Sequence, residues 1–275
     1  MLRVSCVTAA PMVLIVARVG AIALPAAAQE LQPHKAAYAV NLLEKGKPGV
    51  GAPGTYAFEL KQTCEGYVIN QRMRLELDGG KGTVVSEQTS TMTESRDGRK
   101  LKFEHNASVN GKSTSQLKGE ATLGDDGVGQ SLFGEPEGQS VALPKGTLFP
   151  NAMSRLTIQR AKANDGGFDA LFFYGEKVKP PQSVNVVIGR VPKRLADFKV
   201  AEDSEKLAEN RGRIYYRGAF FDADPKAKNG GEAASEMSSL MLDNGIELYG
   251  THEEGEGGIE YRISRLEPLP KPTCN

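Results

Sequence analysis

The side chains of this 275-residue chain that could do chemistry are few and scattered. His34, His105 and His252 lie far apart, whereas a zinc centre needs three or four converging ligands, usually with a short-spaced pair. His252-Glu253-Glu254 is not His-Glu-x-x-His, and it reads as a solvated loop edge whose successive side chains point to opposite faces. Gly255-Glu256-Gly257-Gly258 lacks the lysine and following helix of a phosphate loop, and its acid would repel phosphate; it reads as a hairpin loop. The sequence holds no Gly-x-Ser-x-Gly elbow for a serine nucleophile. The carboxylate pairs Asp165/Asp169 and Glu202/Asp203 read as ordinary surface acids. The sequon Asn106-Ala107-Ser108 has no meaning behind a bacterial-type export signal. These residues point to no catalytic site, metal or cofactor, and the chain reads as non-enzymatic.

Cysteine chemistry is more informative. Residues 1–28 read as a cleavable secretory signal: Arg3, apolar runs broken by Arg18, and Ala26-Ala27-Ala28 before Gln29. Cys6 leaves with that segment and lacks a lipoprotein cleavage context, so Cys64 and Cys274 remain in an exported chain. An even count in an oxidising compartment makes pairing the default, with two free thiols or an intermolecular bond as alternatives. The intramolecular bond would close a loop of about 210 residues, worth roughly 5 kcal/mol on chain-entropy grounds.

Arg3 and Arg18 also carry off two of 34 basic residues against 34 acidic ones, leaving a near-neutral chain with no basic face for nucleic acid. No uncharged run reaches the roughly 18–20 residues that span a bilayer.

The elements that must position these residues are strands. Tyr67, Ile69, Met73, Leu75 and Leu77 alternate with Arg72, Arg74, Glu76 and Asp78, the period of a half-buried strand. Tyr56, Phe58, Leu60, Gln62 and Cys64 share one parity, which puts Cys64 at a strand end. Asp78-Gly79-Gly80, Asp97-Gly98, Asn110-Gly111, Asp126-Gly127 and Asn244-Gly245 match type I′ hairpin turns. Between them Thr83–Glu94, Lys100–Val109 and Ser113–Leu123 are polar strands of the kind antiparallel sheets tolerate.

Leu143 to Pro150 is a stiff connector. Pro150 and Asn151 start a helix running to about Ala163, with Met153, Leu156 and Arg160 on one side, packed on the open mouth or edge of the sheet. Strands follow at Ala170–Tyr174, Val184–Ile188, Phe198–Val200 and Ile214–Phe221. Asp222–Ala234 reads as a mobile loop, and a meander from Ser238 ends in the extended tail Pro268, Pro270, Pro272. The expectation is an all-β fold: residues 29–275 as a single antiparallel domain, an open curled barrel of roughly a dozen or more strands with one or two short helices.

Several segments together carry a resemblance. They are His34-Lys35-Ala36-Ala37-Tyr38, Glu59–Leu77 around Cys64, Leu143-Pro144-x-Gly146-Thr147-x-Phe149-Pro150, Asp243-Asn244-Gly245-Ile246, and the proline-rich tail with Cys274. In these the chain resembles the alphaproteobacterial envelope-integrity protein B (EipB) family over nearly its whole exported length. The resemblance implies a periplasmic β-spiral with a Cys64–Cys274 disulfide. It implies a role in envelope integrity under stress, association with a periplasmic tetratricopeptide-repeat protein, and no enzyme activity. The chain departs from the family's pattern at Asn151-Ala152-Met153, where relatives tend to carry a histidine, and at Tyr56 and Tyr67, where tryptophan is frequent.

Two further classes compete with a partner-binding factor. A concave apolar face would suit a carrier or sensor of lipid or lipoprotein, and a hydrolase of envelope polymers would require acids converging in a cleft. An outer-membrane barrel fits poorly, because the strands are too polar and aromatic girdles are missing.

Overall fold

The computed structural model describes residues 30–44, 54–78, 80, 82–200, 205–223 and 231–274. The export signal read at 1–28, the Glu202/Asp203 pair and most of the loop read at 222–234 lie outside them. The first eight strands are β1 (His34–Glu44), β2 (Gly54–Gln62), β3 (Gly66–Asp78), β4 (Thr83–Ser95), β5 (Lys100–Val109), β6 (Lys112–Leu123), β7 (Gly129–Glu135) and β8 (Gln139–Leu143). After β9 (Thr147–Leu148) and α1 (Pro150–Lys162) come β10 (Gly167–Phe172) and β11 (Gln182–Gly189). Two short helices, α2 (Lys193–Ala196) and α3 (Glu205–Ala208), precede β12 (Arg213–Phe221), β13 (Ser235–Leu242), β14 (Glu247–Glu254) and β15 (Gly257–Pro268).

All of these strands belong to one 15-stranded sheet in the order β8-β7-β6-β5-β4-β3-β2-β1-β15-β14-β13-β12-β11-β10-β9. Every neighbouring pair is antiparallel except β9 and β10, which run parallel across the α1 crossover. A flat sheet of that many strands would be roughly 65–70 Å wide at about 4.8 Å per strand. Yet the two edge strands, β8 and β9, are joined only by Pro144, Lys145 and Gly146. At about 3.3–3.6 Å per residue that link spans no more than ~14 Å. The sheet therefore curls until its edges nearly meet, and the expected open curled barrel follows from chain connectivity alone.

Turn chemistry explains most of the hairpins. Asn110 (φ 49°) and Gly111 (φ 75°) form the tight turn with two positive φ angles that the sequence pattern implied. At Asp97-Gly98, Asp126-Gly127 and Asn244-Gly245 only the glycine has positive φ, so these are wider loops and not type I′ turns. Phe198–Val200 is not a strand. Arg213 donates to the carbonyls of Leu195, Ala196 and Phe198, fixing this segment beside β12, while Phe198 and Val200 pack with Leu195 and Leu207 on Leu240, Leu242 and Tyr249.

Helix α1 buries Thr157 and Ile158 rather than the expected Leu156 and Arg160 stripe. Ile158 and the preceding Phe149 are fully buried, in one cluster with Met92, Leu101, Leu123, Val141 and Leu143. Those strand residues place the helix across the end of the spiral that holds the β4–β5 turn. Asn164, at φ 55°, ends it in the left-handed conformation. The helix start lacks a side-chain cap of its own. Glu94 of β4 supplies one: its carboxylate accepts from the amides of Asn151 (2.7 Å) and Ala152 (2.9 Å), with Arg155 3.7 Å away.

At the same end Cys64 and Cys274 are disulfide-bonded, their Cα atoms 5.6 Å apart. The tail is not held by this bond alone, because Leu269 donates to the carbonyl of Pro33 and Lys271 pairs with Glu30. Cys64→Ser and Cys274→Ser are each expected to destabilise by about 2–5 kcal/mol. The double variant should be no worse than either single, which urea unfolding without reductant will show. Glu94→Ala leaves two helix-start amides without their acceptor in a buried setting, while Arg155 keeps the Arg96 carbonyl. It should cost about 1–3 kcal/mol in the same assay.

Candidate functional site

The curl encloses a cavity of about 660 Å³. It opens at the end where β5 turns into β6 and β14 into β15, opposite the disulfide. Period-two alternation directs Met73 and Leu75 of β3, Leu117 of β6 and Ile259 of β15 inward as an apolar sleeve. Deeper in lie Tyr56, Gln71, Ser90, His105, Tyr174 and Tyr261, a polar but uncharged floor. Glu176, Lys177, His252 and Glu254 ring the mouth.

The chain beyond β10 lines the lumen instead of continuing the sheet. Gly175, at φ +80°, makes this course possible, since a Cβ there would lie 2.7 Å from the ring of Phe103. Tyr174 thereby stacks on His105 at 5.2 Å, its carbonyl accepts from His105 Nε2 (3.0 Å), and its hydroxyl donates to Gln71. Burial pushes His105 below the ordinary imidazole value and Tyr174 well above the ordinary phenol value, so both are neutral near pH 7. His105, Tyr174 and Gln71 thus engage one another, whereas Ser90, opposite His105 in the β4–β5 register, shares no hydrogen bond with it.

A second buried acid sits behind the floor. The β13–β14 register skips Leu248, so that Leu240 faces Tyr249 while Met241 faces Glu247. This bulge turns Glu247 inward, against the alternation of its strand. Tyr38 donates its hydroxyl to the Glu247 carbonyl (2.9 Å), and Glu247 Oε1 has no hydrogen-bond partner among the described residues. Burial pushes the Glu247 carboxyl up to about 7, against the opposing pull of the Ser239 and Tyr261 hydroxyls. The phenols of Tyr38, Tyr56, Tyr216 and Tyr261 are raised in turn, by burial foremost and by the Glu247 charge in addition.

The structure brings together residues that the sequence keeps apart. His105 and His252 line one lumen, and His252 is solvent-exposed as expected but lies on β14 opposite Ile259 and not in a loop. Desolvation lowers its imidazole too. Gly257 and Gly258 also face the lumen, as does Asn106. His34 stands apart, buried against Phe58, with Nδ1 2.7 Å from the Gln32 carbonyl and its pKa pushed down to about 4 by burial. Asp165 pairs with Arg160, and Asp169 accepts from Asn185. Of the two tyrosines noted as departures, Tyr56 lines the lumen, while Tyr67 is buried and accepts from the Leu31 amide. Asn151 is buried at the Glu94-capped helix start. Among the described residues no three His, Cys, Asp or Glu side chains are grouped to hold a metal. No helix there is long and apolar enough to cross a membrane.

Glu94 and Glu247 are the two inward acids that sequence reasoning missed. Glu94 shares parity with Met92, and an acid at an inward strand position is a readable signal. Glu247 gave none, because its orientation depends on the bulge.

The raised pKa of Glu247 fixes a pH dependence. The folded protein holds this proton up to about pH 7, whereas the unfolded chain releases it near 4.5. The neutral acid's contribution is therefore full below about 4.5 and lost as pH rises through 7, at up to ~1.4 kcal/mol per pH unit. Glu247→Gln removes that loss. Urea unfolding of both proteins at pH 5 and pH 8 should show the variant gaining about 2–3 kcal/mol on the native protein at the higher pH. Glu94, which burial also pushes up to about 7, is common to both proteins and cancels.

Comparison with known proteins places this geometry. The chain is 28% identical over 251 residues to the cell envelope integrity protein EipB of Brucella abortus (strain 2308), covering 88% of this chain and 86% of that one. It superposes with a TM-score of 0.73 on the crystal structure of a β-barrel-like protein of the DUF1849 domain from Brucella abortus. That match has 23% identity and covers 88% of this chain and all of the other, and it speaks for the fold. The family described as EipB-like matches residues 25–270, and the chain belongs to that family.

Proposed function

We propose that this protein is a non-enzymatic periplasmic factor that maintains cell-envelope integrity. The observation that carries the reading is the family match over residues 25–270, together with a relative named for envelope integrity that aligns along 88% of the chain. The disulfide supports an oxidising compartment, and residues 1–28 supply the export signal that would deliver the protein there. The resemblance to the family supports a periplasmic tetratricopeptide-repeat protein as a binding partner.

A second reading, a carrier or sensor of lipid or lipoprotein, rests on the lumen. A cavity of about 660 Å³ with Met73, Leu75, Leu117 and Ile259 on its walls has the size and lining of a small-molecule site. The two readings are compatible, since a loaded or empty lumen could be what a partner senses.

Deleting the gene in its native host should sensitise cells to detergent and to cell-wall antibiotics. The full-length chain should restore resistance, and a chain lacking residues 1–28 should not. Normal resistance in the deletion strain would overturn the envelope role, and rescue by the leaderless chain would overturn the periplasmic placement.

A further inference from the structure

The charge at the lumen mouth selects among amphiphiles. Two elements contribute to it: Glu176 and Lys177 from the segment after β10, and His252 and Glu254 from β14. Lys177 is already paired with Glu254 at 3.6 Å. Glu176 has no ion pair or hydrogen bond among the described residues. Desolvation raises its carboxyl, Lys177 lowers it, and Glu254 raises it further, so the two acids act on each other although both are solvent-exposed. The His252 imidazole lies below its ordinary value, so it does not offset the acids at pH 7.5. Among the described residues that line it, the mouth thus holds two carboxylates and one lysine above an apolar sleeve, while the floor beneath that sleeve is uncharged.

We infer that the lumen takes a single-chain amphiphile with a cationic ammonium head: its hydrocarbon chain lies in the sleeve of Met73, Leu75, Leu117 and Ile259, and its head sits between Glu176 and Glu254. An anionic head would lie beside two carboxylates with a single lysine, already engaged. A cationic head relieves the repulsion between the two acids. The assignment rests on the carrier reading of the lumen, and the test separates the two.

Calorimetric titration of the oxidised full exported chain at pH 7.5 would compare dodecyltrimethylammonium with dodecyl sulfate, both kept below micelle formation. The two probes share one chain and differ in head charge. The ammonium probe should bind about fivefold more tightly, the upper size expected of a solvent-exposed charge contact. Glu176→Gln should cut that preference to about twofold. Glu253→Gln, which changes an acid on the opposite face of β14, should leave it unchanged. Ile259→Trp, which fills the sleeve, should weaken both probes at least tenfold, with circular dichroism confirming that the variant is folded. If neither probe binds the native protein, the lumen is not an amphiphile site and the carrier reading fails with it. If both bind and the sulfate binds as well or better, the carrier reading stands and the headgroup assignment is overturned. Unchanged binding by Ile259→Trp would mean that the probes bind elsewhere, which overturns both.

Discussion

Everything in this molecule depends on one connection, the three residues Pro144 to Gly146. They tie the two free edges of a 15-stranded sheet to each other. Hydrogen-bond continuity runs without a break from β8 inward to β1, across the β1–β15 ladder, and out again to β9. A sheet that long, held by so short a link between its edges, has to roll up, and the right-handed twist of strands gives the roll its direction. The lumen is the inside of that roll. At mid-sheet β1 and β15 lie side by side through their own ladder, and the disulfide and the Lys271–Glu30 pair fasten the tail beside them.

The two ends of the roll solve different problems. At the disulfide end, α1 crosses the opening and its first amides meet the buried carboxylate of Glu94. A helix start would otherwise present unsatisfied donors to the core, and a carboxylate would otherwise be buried without partners. Each group is tolerable there because of the other. At the open end no helix of the described residues crosses, and Glu176, Lys177, His252 and Glu254 stand at the rim instead.

Much of this was legible in the residues, and what was not has a definite cause. Period-two alternation located β2 and β3 closely, and the hairpin turns bounded β4 to β6. A strand reading failed at Phe198–Val200, where two apolar residues cover the outer face of a sheet instead of joining it. Strands β13 and β14 are buried on both faces, so alternation carries less information there. Within β14 the bulge at Leu248 inverts the parity on which any sequence reading of Glu247 would rely. His252 was placed at a loop edge because its facing partner, Ile259, is fixed by register, which no local pattern encodes. Beyond residues 1–28 only Cys64 and Cys274 remain, which left a single intramolecular pairing to consider.

The size of the lumen constrains what it can contain. An empty, dry cavity costs about 24 cal/mol per Å³. A void of about 660 Å³ would then cost roughly 16 kcal/mol, as much as the whole stability of an ordinary domain. A sealed, empty lumen is therefore excluded, and the space must be filled with water or with a ligand. Its construction serves both states. Gln71, Ser90, His105 and Tyr174 give water or a polar group partners at the floor, while the sleeve above them offers water none. Water against Met73, Leu75, Leu117 and Ile259 is the least favourable part of the filled lumen, and its displacement by hydrocarbon gains about 25 cal/mol for each Å² of apolar surface covered. The sleeve and floor are the inner margin of the fold's own hydrophobic clusters: Leu117 and Tyr174 pack on the α1 cluster, and Tyr261, with Tyr56, Leu75 and Ile259 against it, belongs to the cluster beneath α2 and α3. The lumen walls are thus held in place by the core behind them, whether water or a ligand fills the space between.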